Sequence, residues 1–406
     1  MSSGAPADPD AKKGAYDGLR VLEFAALIAG PSCGKYMADH GADVIKVERF
    51  PMGDVARHGF LKGAPRSPMF IQHNAGKRSL CVDMKDPDGL AAVLALIPKT
   101  DVVIEAFTPG VMARLGLGYD DLRALNPGII LCSVSGFGQT GPNADRPGYA
   151  HISHAMTGWL GMQFLHRDPP EAPRGPGIAI GDTTTGLTAF GAIGAALYRK
   201  AMTGEGDHLD IALFDSLFGS NDDSLQRYLT TGEIDVWYHP VHAAKEGYIT
   251  ANVGPDHKSW ANACAAMERP ELASDPRFSD AATLAQHQDE ATGILRDWLA
   301  TLSAEDAEQR LSAHHVACGV VRTIDQAVDQ PQVTARGLVR TVDDPILGET
   351  KVINSAFRYA NAESGLKGPA PMLGEHNREI LRDLLNYDED ALRDMEDRGI
   401  LRTERI

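Results

Sequence analysis

Residues 20–48 read RVLEFAALIAGPSCGKYMADHGADVIKVE, and this stretch decides the fold. Arg20–Ala26 is an apolar run of strand length, Cys33–His40 carries helical spacing, and Asp43–Glu48 returns to a β-branched, apolar pattern. A strand, a helix and a second strand in so short a span imply a right-handed crossover between parallel strands. Working outward, Ser79–Met84, Asp101–Phe107 and Gly128–Val134 read as further strands, separated by helical Leu90–Ile97 and Tyr119–Pro127. The fold class is therefore α/β, a doubly wound, Rossmann-like parallel sheet whose ligand lies at the carboxyl ends of the strands.

Beyond the sheet, Leu187–Lys200 reads as a small-residue helix, and residues 203–220 as a turn, a strand and a helix. Gly247–Asn252 begins a new strand, with helical stretches near 258–268, 290–302 and 304–315. The expected division is a large domain over 1–225 and 352–406, a smaller α/β domain over 240–345, and linkers at 226–239 and 346–351. A charged helix over Asn377–Arg398 returns to the large domain.

Composition removes several function classes. Against 39 basic side chains stand 55 acidic ones, a net charge of −16, which argues against a nucleic-acid or anionic-membrane surface. The five cysteines (Cys33, Cys81, Cys132, Cys264, Cys318) are odd in number and have no Cys-x-x-Cys spacing, so neither a disulfide framework nor a zinc site is indicated. With a polar N-terminus and no run of about 18 apolar residues, the expectation is a cytoplasmic protein without a membrane span.

The first turn, Ala29-Gly30-Pro31-Ser32-Cys33-Gly34, with Glu48 further on, resembles a dinucleotide-binding unit. Its Gly-x-x-x-Gly spacing breaks the Gly-x-Gly-x-x-Gly rule, so a nicotinamide cofactor is disfavoured. Residues 181–186, GDTTTG, put Asp182 at a helix N-terminus, where the macrodipole and free N–H groups keep a carboxylate ionised as a nucleophile. An N-cap role explains the same residue type equally well. The pairs His151/His154, His239/His242 and His314/His315 have ligand-like spacing but no third ligand, so no metal is expected.

The ordered set RVLEFAALIAGP, GADVIKVER, NAGKRSLCVDM, DVVIEAFTPGVMARLGLGYDDL, NPGIILCSVSGFGQTGP, RPGY, GDTTTG, TGEGDHLDIALFDSL, DQPQVTARGLV and PAPMLGEH resembles the class III coenzyme A transferases, the formyl-CoA and carnitine-CoA transferase family. The likeness spans residues 18 to 380. It implies transfer of coenzyme A from an acyl-CoA such as succinyl-CoA to an organic acid, through aspartyl anhydride and aspartyl-CoA thioester intermediates on Asp182. CoA is a substrate, and no tightly bound cofactor is implied. Arg49, Asn74, Lys77, Phe107 and Arg114 match positions that contact CoA, and Leu27, Ile28 and Ala29 match the loop beside the thioester. Tyr149 and His151 border the implied acyl pocket.

Three positions depart from the family pattern. Ala106 stands where relatives often have Asn, Ile28 where the formyl-CoA enzymes carry Gln, and Ala150 where relatives place an acidic residue. Ile28 implies a more apolar acyl pocket. The resemblance also implies an interlocked homodimer, in which Asp182 of one chain meets the segment Val253-Gly254-Pro255 of the other.

Two alternatives share the fold: a non-catalytic CoA-binding partner subunit and an α-methylacyl-CoA racemase. Racemases of the fold carry a histidine directly after the glycine that here is Gly148, but Tyr149 follows it. His151, two residues on, should turn roughly 200° away from the Tyr149 direction on a helix and fail to substitute. No racemisation is expected.

Overall fold

The computed structural model describes residues 12–58, 65–164, 175–234, 240–253 and 256–404. The chain divides into two units, Met1–Gly232 with Arg336–Ile406, and Glu233–Ala335.

The larger unit is built on six parallel strands, β1 (Arg20–Phe24), β2 (Asp43–Arg49), β3 (Arg78–Val82), β4 (Val102–Glu105), β5 (Ile130–Ser135) and β6 (Asp207–Ala212), in the order β3-β2-β1-β4-β5-β6. The order reverses between β1 and β4, which makes the gap beyond their carboxyl ends the switch-point crevice. Strand residues alternate between two cores. Leu22, Phe24, Ile45, Val47, Leu80 and Val103 pack with Val93, Leu96, Ile380 and Leu392 on one face, whereas Val21, Val44, Ile104, Ile130 and Cys132 pack with Cys33, Met37, Ala189 and Ile193 on the other. Both faces are thus covered, which is why β1, β4 and β5 read as largely apolar runs without a period of two.

The helices of this unit are, in order, α1 (Ala29–Asp39), α2 (Pro68–Asn74), α3 (Pro87–Leu96), α4 (Val111–Arg114), α5 (Tyr119–Leu125), α6 (Ala150–Met156), α7 (Trp159–Phe164), α8 (Ile180–Thr203), α9 (Leu213–Gly219) and α10 (Asp222–Thr231). Two begin earlier than their sequence suggests. Helix α1 starts at Ala29 rather than Cys33, so the glycine-bearing turn is itself helix. A Cβ on Gly34 would stand 1.9 Å from Glu23 Oε2, so this glycine lets α1 lie against β1. Helix α8 starts at Ile180 rather than Leu187 and absorbs GDTTTG. Its threonines tolerate helix because Thr183 Oγ1 and Thr185 Oγ1 donate back to the carbonyls of Ala179 (3.3 Å) and Gly181 (2.7 Å).

In the smaller unit, antiparallel strands β7 (Val241–Ala243), β8 (Tyr248–Asn252) and β9 (Ala317–Val320) lie in that order. Helices α11 (His257–Ala266), α12 (Ala281–Gln286), α13 (Gln288–Leu299) and α14 (Ala304–Ala313) supply most of a core around Trp260, Phe278 and Leu295. Its boundary differs from the expected one. Residues 346–351 are not a linker: they form the turn and much of the second strand of a hairpin, β10 (Val339–Asp344) and β11 (Gly348–Ile353), that belongs to the larger unit. Val352 and Val342 pack there with Phe70 and Ile71 of α2, so burial fixes the hairpin to that side. Among the described residues, no helix is long and apolar enough to cross a membrane.

Candidate active site

Strand β1 ends at the switch point and hands the chain to a tight loop, Ala25–Ile28. Leu27 there has φ +67°, a left-handed conformation that a branched side chain adopts only when its surroundings impose it. Asp54 Oδ1 accepts the Leu27 N–H at 3.1 Å, and Lys46 Nζ donates to the Ala25 carbonyl at 2.7 Å. Lys46 is ion-paired with Glu23 (2.8 Å) and Asp54 (2.9 Å), all three fully or almost fully buried. Burial alone would lower the Lys46 pKa, but the Glu23 and Asp54 carboxylates outweigh it and hold the ammonium above the usual lysine range.

The same cluster claims two expected CoA contacts. Lys77 Nζ donates to Glu23 Oε2 (2.6 Å), the Pro31 carbonyl (2.9 Å) and Asn74 Oδ1 (3.0 Å), which satisfies all three of its protons. Burial pulls its pKa down to about 8 against the pull of Glu23. Asn74 is fully buried and donates to the Phe70 carbonyl at 3.1 Å. Neither residue lines a cleft; the structure makes both part of the support beneath the Ala25–Ile28 loop.

Two clefts and a pocket meet above that loop. The first cleft, about 510 Å³, runs over the ends of β1, β2 and β3 and is lined by Arg49, Met84, Lys85 and Phe107 among others. Arg49 and Lys85 are exposed, and neither side chain has a hydrogen-bond or ion-pair partner among the described residues. Arg114 is also exposed, but α4 turns Val111 and Leu115 to the cleft instead. Ala26 and Phe107 are shared with a second cleft of about 260 Å³, which reaches Leu27, Ile28, Ala29, Ala106, Arg146, Tyr149 and Asp182. A pocket of about 390 Å³ continues past Asp182 to Met69, His151, His154 and Ile178. Gly136 and Gly148 close one wall by backbone contact: a Cβ on either would stand within 2.6 Å of the other's Cα.

Asp182 is the third residue of α8, and Ala179, not Asp182, is the N-cap. Its half-buried carboxylate has no hydrogen-bond or ion-pair partner among the described residues, and burial pushes its pKa up to about 6. The carboxylate stays ionised at neutral pH, but burial makes it more basic than an ordinary aspartate. One first-turn donor, the Gly181 N–H, is given to His154 Nε2 at 3.1 Å.

Tyr149 caps α6 in extended conformation (φ −132°, ψ 161°). Its ring lies parallel to that of His151, centroids 5.9 Å apart, and both face the pocket. The expected 200° divergence fails because Tyr149 stands outside the helix. Among the described residues, no group of three or more His, Cys, Asp or Glu could hold a metal ion; His239 lies outside them. Gly254 and Pro255, expected to reach a partner's site, also lie outside.

Reading the sequence missed Lys85, Arg146 and Met69 on these walls. Lys85 follows β3 much as Arg49 ends β2, a parallel visible in CVDMK beside VIKVER. Arg146 and Met69 leave no such signal, because they come from loop and helix positions set by tertiary packing.

A Rossmann-order sheet whose switch-point crevice carries a carboxylate and cations without partners among the described residues defines an α/β protein organised for an anionic, extended ligand. Residues 16–377 match the sequence profile of CoA-transferase family III, and the chain belongs to that family. It is 35% identical over 415 residues to succinyl-CoA–D-citramalate CoA-transferase of Chloroflexus aurantiacus, covering 97% of this chain and 98% of that one. With succinyl-CoA:glutarate CoA-transferase of Mus musculus it shares 32% identity over 95% of this chain and 90% of the other. A CAIB/BAIF family protein from Brucella suis superposes with a TM-score of 0.79 at 31% identity, over 92% of this chain and all of that one.

Proposed function

We propose that the protein moves coenzyme A from succinyl-CoA to a second organic acid, with Asp182 as the nucleophile. The observation that carries this reading is the unpaired Asp182 carboxylate with its pKa near 6, set where the acyl pocket joins the cleft bearing Arg49 and Lys85. Such a carboxylate is ionised at neutral pH yet more basic than an exposed one, and among the described residues no cation pairs with it.

The Asp182 carboxylate attacks the thioester carbonyl, forming an aspartyl-acyl anhydride and releasing CoA thiolate. The thiolate then attacks the aspartyl carbonyl, giving an aspartyl-CoA thioester and freeing succinate. The acceptor carboxylate attacks that thioester, expelling thiolate and forming a second anhydride. Thiolate attack on the acceptor's acyl carbonyl yields the new acyl-CoA and restores Asp182. Each intermediate keeps the acyl potential of the thioester, so no ATP is consumed.

Arg49 and Lys85 would neutralise CoA phosphates, with the pantetheine arm passing Phe107 toward Leu27 and Ile28. The pocket beyond Asp182 joins apolar Ile28, Met69 and Ile178 to polar Tyr149 and His151. That mixture suits an acceptor with a short carbon chain and a second polar end, a dicarboxylic acid, the class named by the citramalate and glutarate transferases. The protein works in the cytoplasm, in keeping with five cysteines that form no disulfide, and without a tightly bound cofactor. A homodimer accounts for the exposed apolar side chains of α8, Tyr198 (71% exposed), Met202 (70%) and Leu187 (45%).

The test is to offer the purified chain succinyl-CoA with a panel of mono- and dicarboxylates and detect product thioesters by mass. Dicarboxylate-dependent loss of succinyl-CoA, with hydroxylamine marking Asp182, is the expected result. A fully active Asp182→Ala protein refutes the nucleophile, and a chain active only with a different subunit added refutes the homodimer.

A further inference from the structure

His154 sits on α6, 1% exposed, with its ring packed against Trp159 at a centroid distance of 5.1 Å. Its Nε2 lies 3.1 Å from the backbone nitrogen of Gly181, the residue immediately before Asp182. A backbone N–H can only donate, so Nε2 must present its lone pair and the ring proton must sit on Nδ1. Nδ1 is buried and has no partner among the described residues. An imidazole free to choose would not bury its proton unpartnered, so the bond to Gly181 is what dictates the tautomer.

Gly181 is clamped from two sides. A Cβ there would stand 2.8 Å from Leu217 Cδ1 of α9 and 3.2 Å from His154 Nε2. The first turn of α8 therefore touches α9 by van der Waals contact and α6 through one hydrogen bond. That bond also consumes a first-turn donor that an ordinary helix leaves free for a nearby anion. Among the described residues the Asp182 carboxylate has no partner, and it lies at the junction of the cleft and the pocket.

We propose that neutral His154 is a positioning residue for the reaction: by accepting the Gly181 N–H it fixes the first turn of α8 and so aims the Asp182 carboxylate at the thioester carbonyl. The inference rests on Asp182 being the nucleophile. It does not place His154 in contact with the reacting atoms. Its effect must appear in the rate of acyl transfer rather than in the affinity for acyl-CoA, whose cation contacts lie at the far end of the crevice.

Two substitutions separate positioning from mere filling. His154→Leu keeps much of the volume but cannot accept a hydrogen bond, whereas His154→Gln can turn its amide oxygen to the same N–H. Single-turnover transfer from succinyl-CoA, read as hydroxylamine-trapped Asp182, should fall about 10²-fold in His154→Leu, the loss typical of a misplaced reacting group. KM for succinyl-CoA should stay within about threefold, because ground-state binding is untouched. His154→Gln should recover the rate to within about tenfold of the parent, one hydrogen bond's worth of misalignment.

Equal rates in the two variants, a parent-like rate in His154→Leu, or a loss confined to KM would each overturn the proposal. Nitrogen NMR of histidine-labelled parent protein gives an independent reading should His154→Leu fail to fold. The signal lost in His154→Gln must be that of an Nδ1–H tautomer at neutral pH, and an Nε2–H signal would contradict the inferred bond. Asp182→Asn run in parallel keeps the two ideas apart, since parent-like transfer in that variant defeats the nucleophile itself, whatever His154 does.

Discussion

Two groups of charged side chains flank the Ala25–Ile28 loop, and they are built to opposite rules. Beneath it, Glu23, Lys46, Asp54 and Lys77 are buried and ion-paired with one another. Along the crevice above it, Asp182, Arg49 and Lys85 have no partner among the described residues. The first group holds a loop in a strained shape; the second leaves charge for a ligand to meet. Residue type does not separate them, since each contains both signs. Partnering does: for half-buried Asp182 a charge without a partner is costly and is tolerated chiefly where chemistry needs it, while exposed Arg49 and Lys85 keep theirs in solvent, open to a ligand.

The sharpest way to break this contrast is to remove the carboxylate from each group. Asp182→Asn should lower turnover by about 10⁴-fold or more, since among the described residues Asp182 is the one carboxylate lining the second cleft and the pocket, where the acyl group would lie. The same change should stabilise the fold. Asp182 has a folded pKa near 6, against an ordinary value of about 3.9. The carboxylate therefore weakens the folded state in full above about pH 6, and that penalty fades as pH falls from there and is gone below the unfolded value. Denaturation should show Asp182→Asn more stable by about 1–2 kcal/mol at neutral pH, the full shift discounted for partial exposure, and equal to the parent near pH 3. Glu23→Gln should do the reverse, costing about 3–5 kcal/mol of stability by stripping Lys46 and Lys77 of their shared counter-ion. A Glu23→Gln protein as stable as the parent would mean that the buried cluster does not support the loop.

Much of the fold is legible in the sequence for one reason: strands covered on both faces are rich in apolar and β-branched residues, so RVLEFAA, DVIKVE and GIILCSV stand out despite the buried charges of Glu23, Lys46 and Glu48. Helix starts are less legible. Gly30 and Gly34 in α1, and the threonines of α8, are poor helix formers whose place is secured by close packing and back-bonding that only the fold reveals. Asp182 stands out because a polar cluster interrupts an apolar run. Asn74 and Lys77 mislead because a lysine's burial depends on Glu23, far away in the chain, and nothing local distinguishes a saturated ammonium from a free one. His154 acquires its role from a backbone N–H that belongs to no motif.

The acid limb of the pH profile sharpens the assignment of Asp182. Its protonated form cannot attack a thioester, so kcat/KM for succinyl-CoA should fall tenfold per unit below about pH 6 and level off above it. A limb near pH 4, the range of an exposed carboxylate, would place the nucleophile elsewhere.

The smallest effects grade the unpaired cations against one another. Arg49 and Lys85 both line the cleft, and a charge-assisted bond from each to a phosphate is worth about 1.5–3 kcal/mol. Arg49→Ala and Lys85→Ala should each raise KM for succinyl-CoA about tenfold or more, steeply reduced by added salt, with kcat nearly unchanged. Arg114 is as exposed as either but stands off the wall on which Val111 and Leu115 lie. Reaching the ligand from there means ordering a long side chain across solvent, so Arg114→Ala should raise KM by less than about fivefold, the reach of a surface ion pair. If instead Arg114→Ala matched Arg49→Ala, proximity to the cleft wall would not be what selects the cations that hold CoA, and the position matched by resemblance alone would have been the better guide.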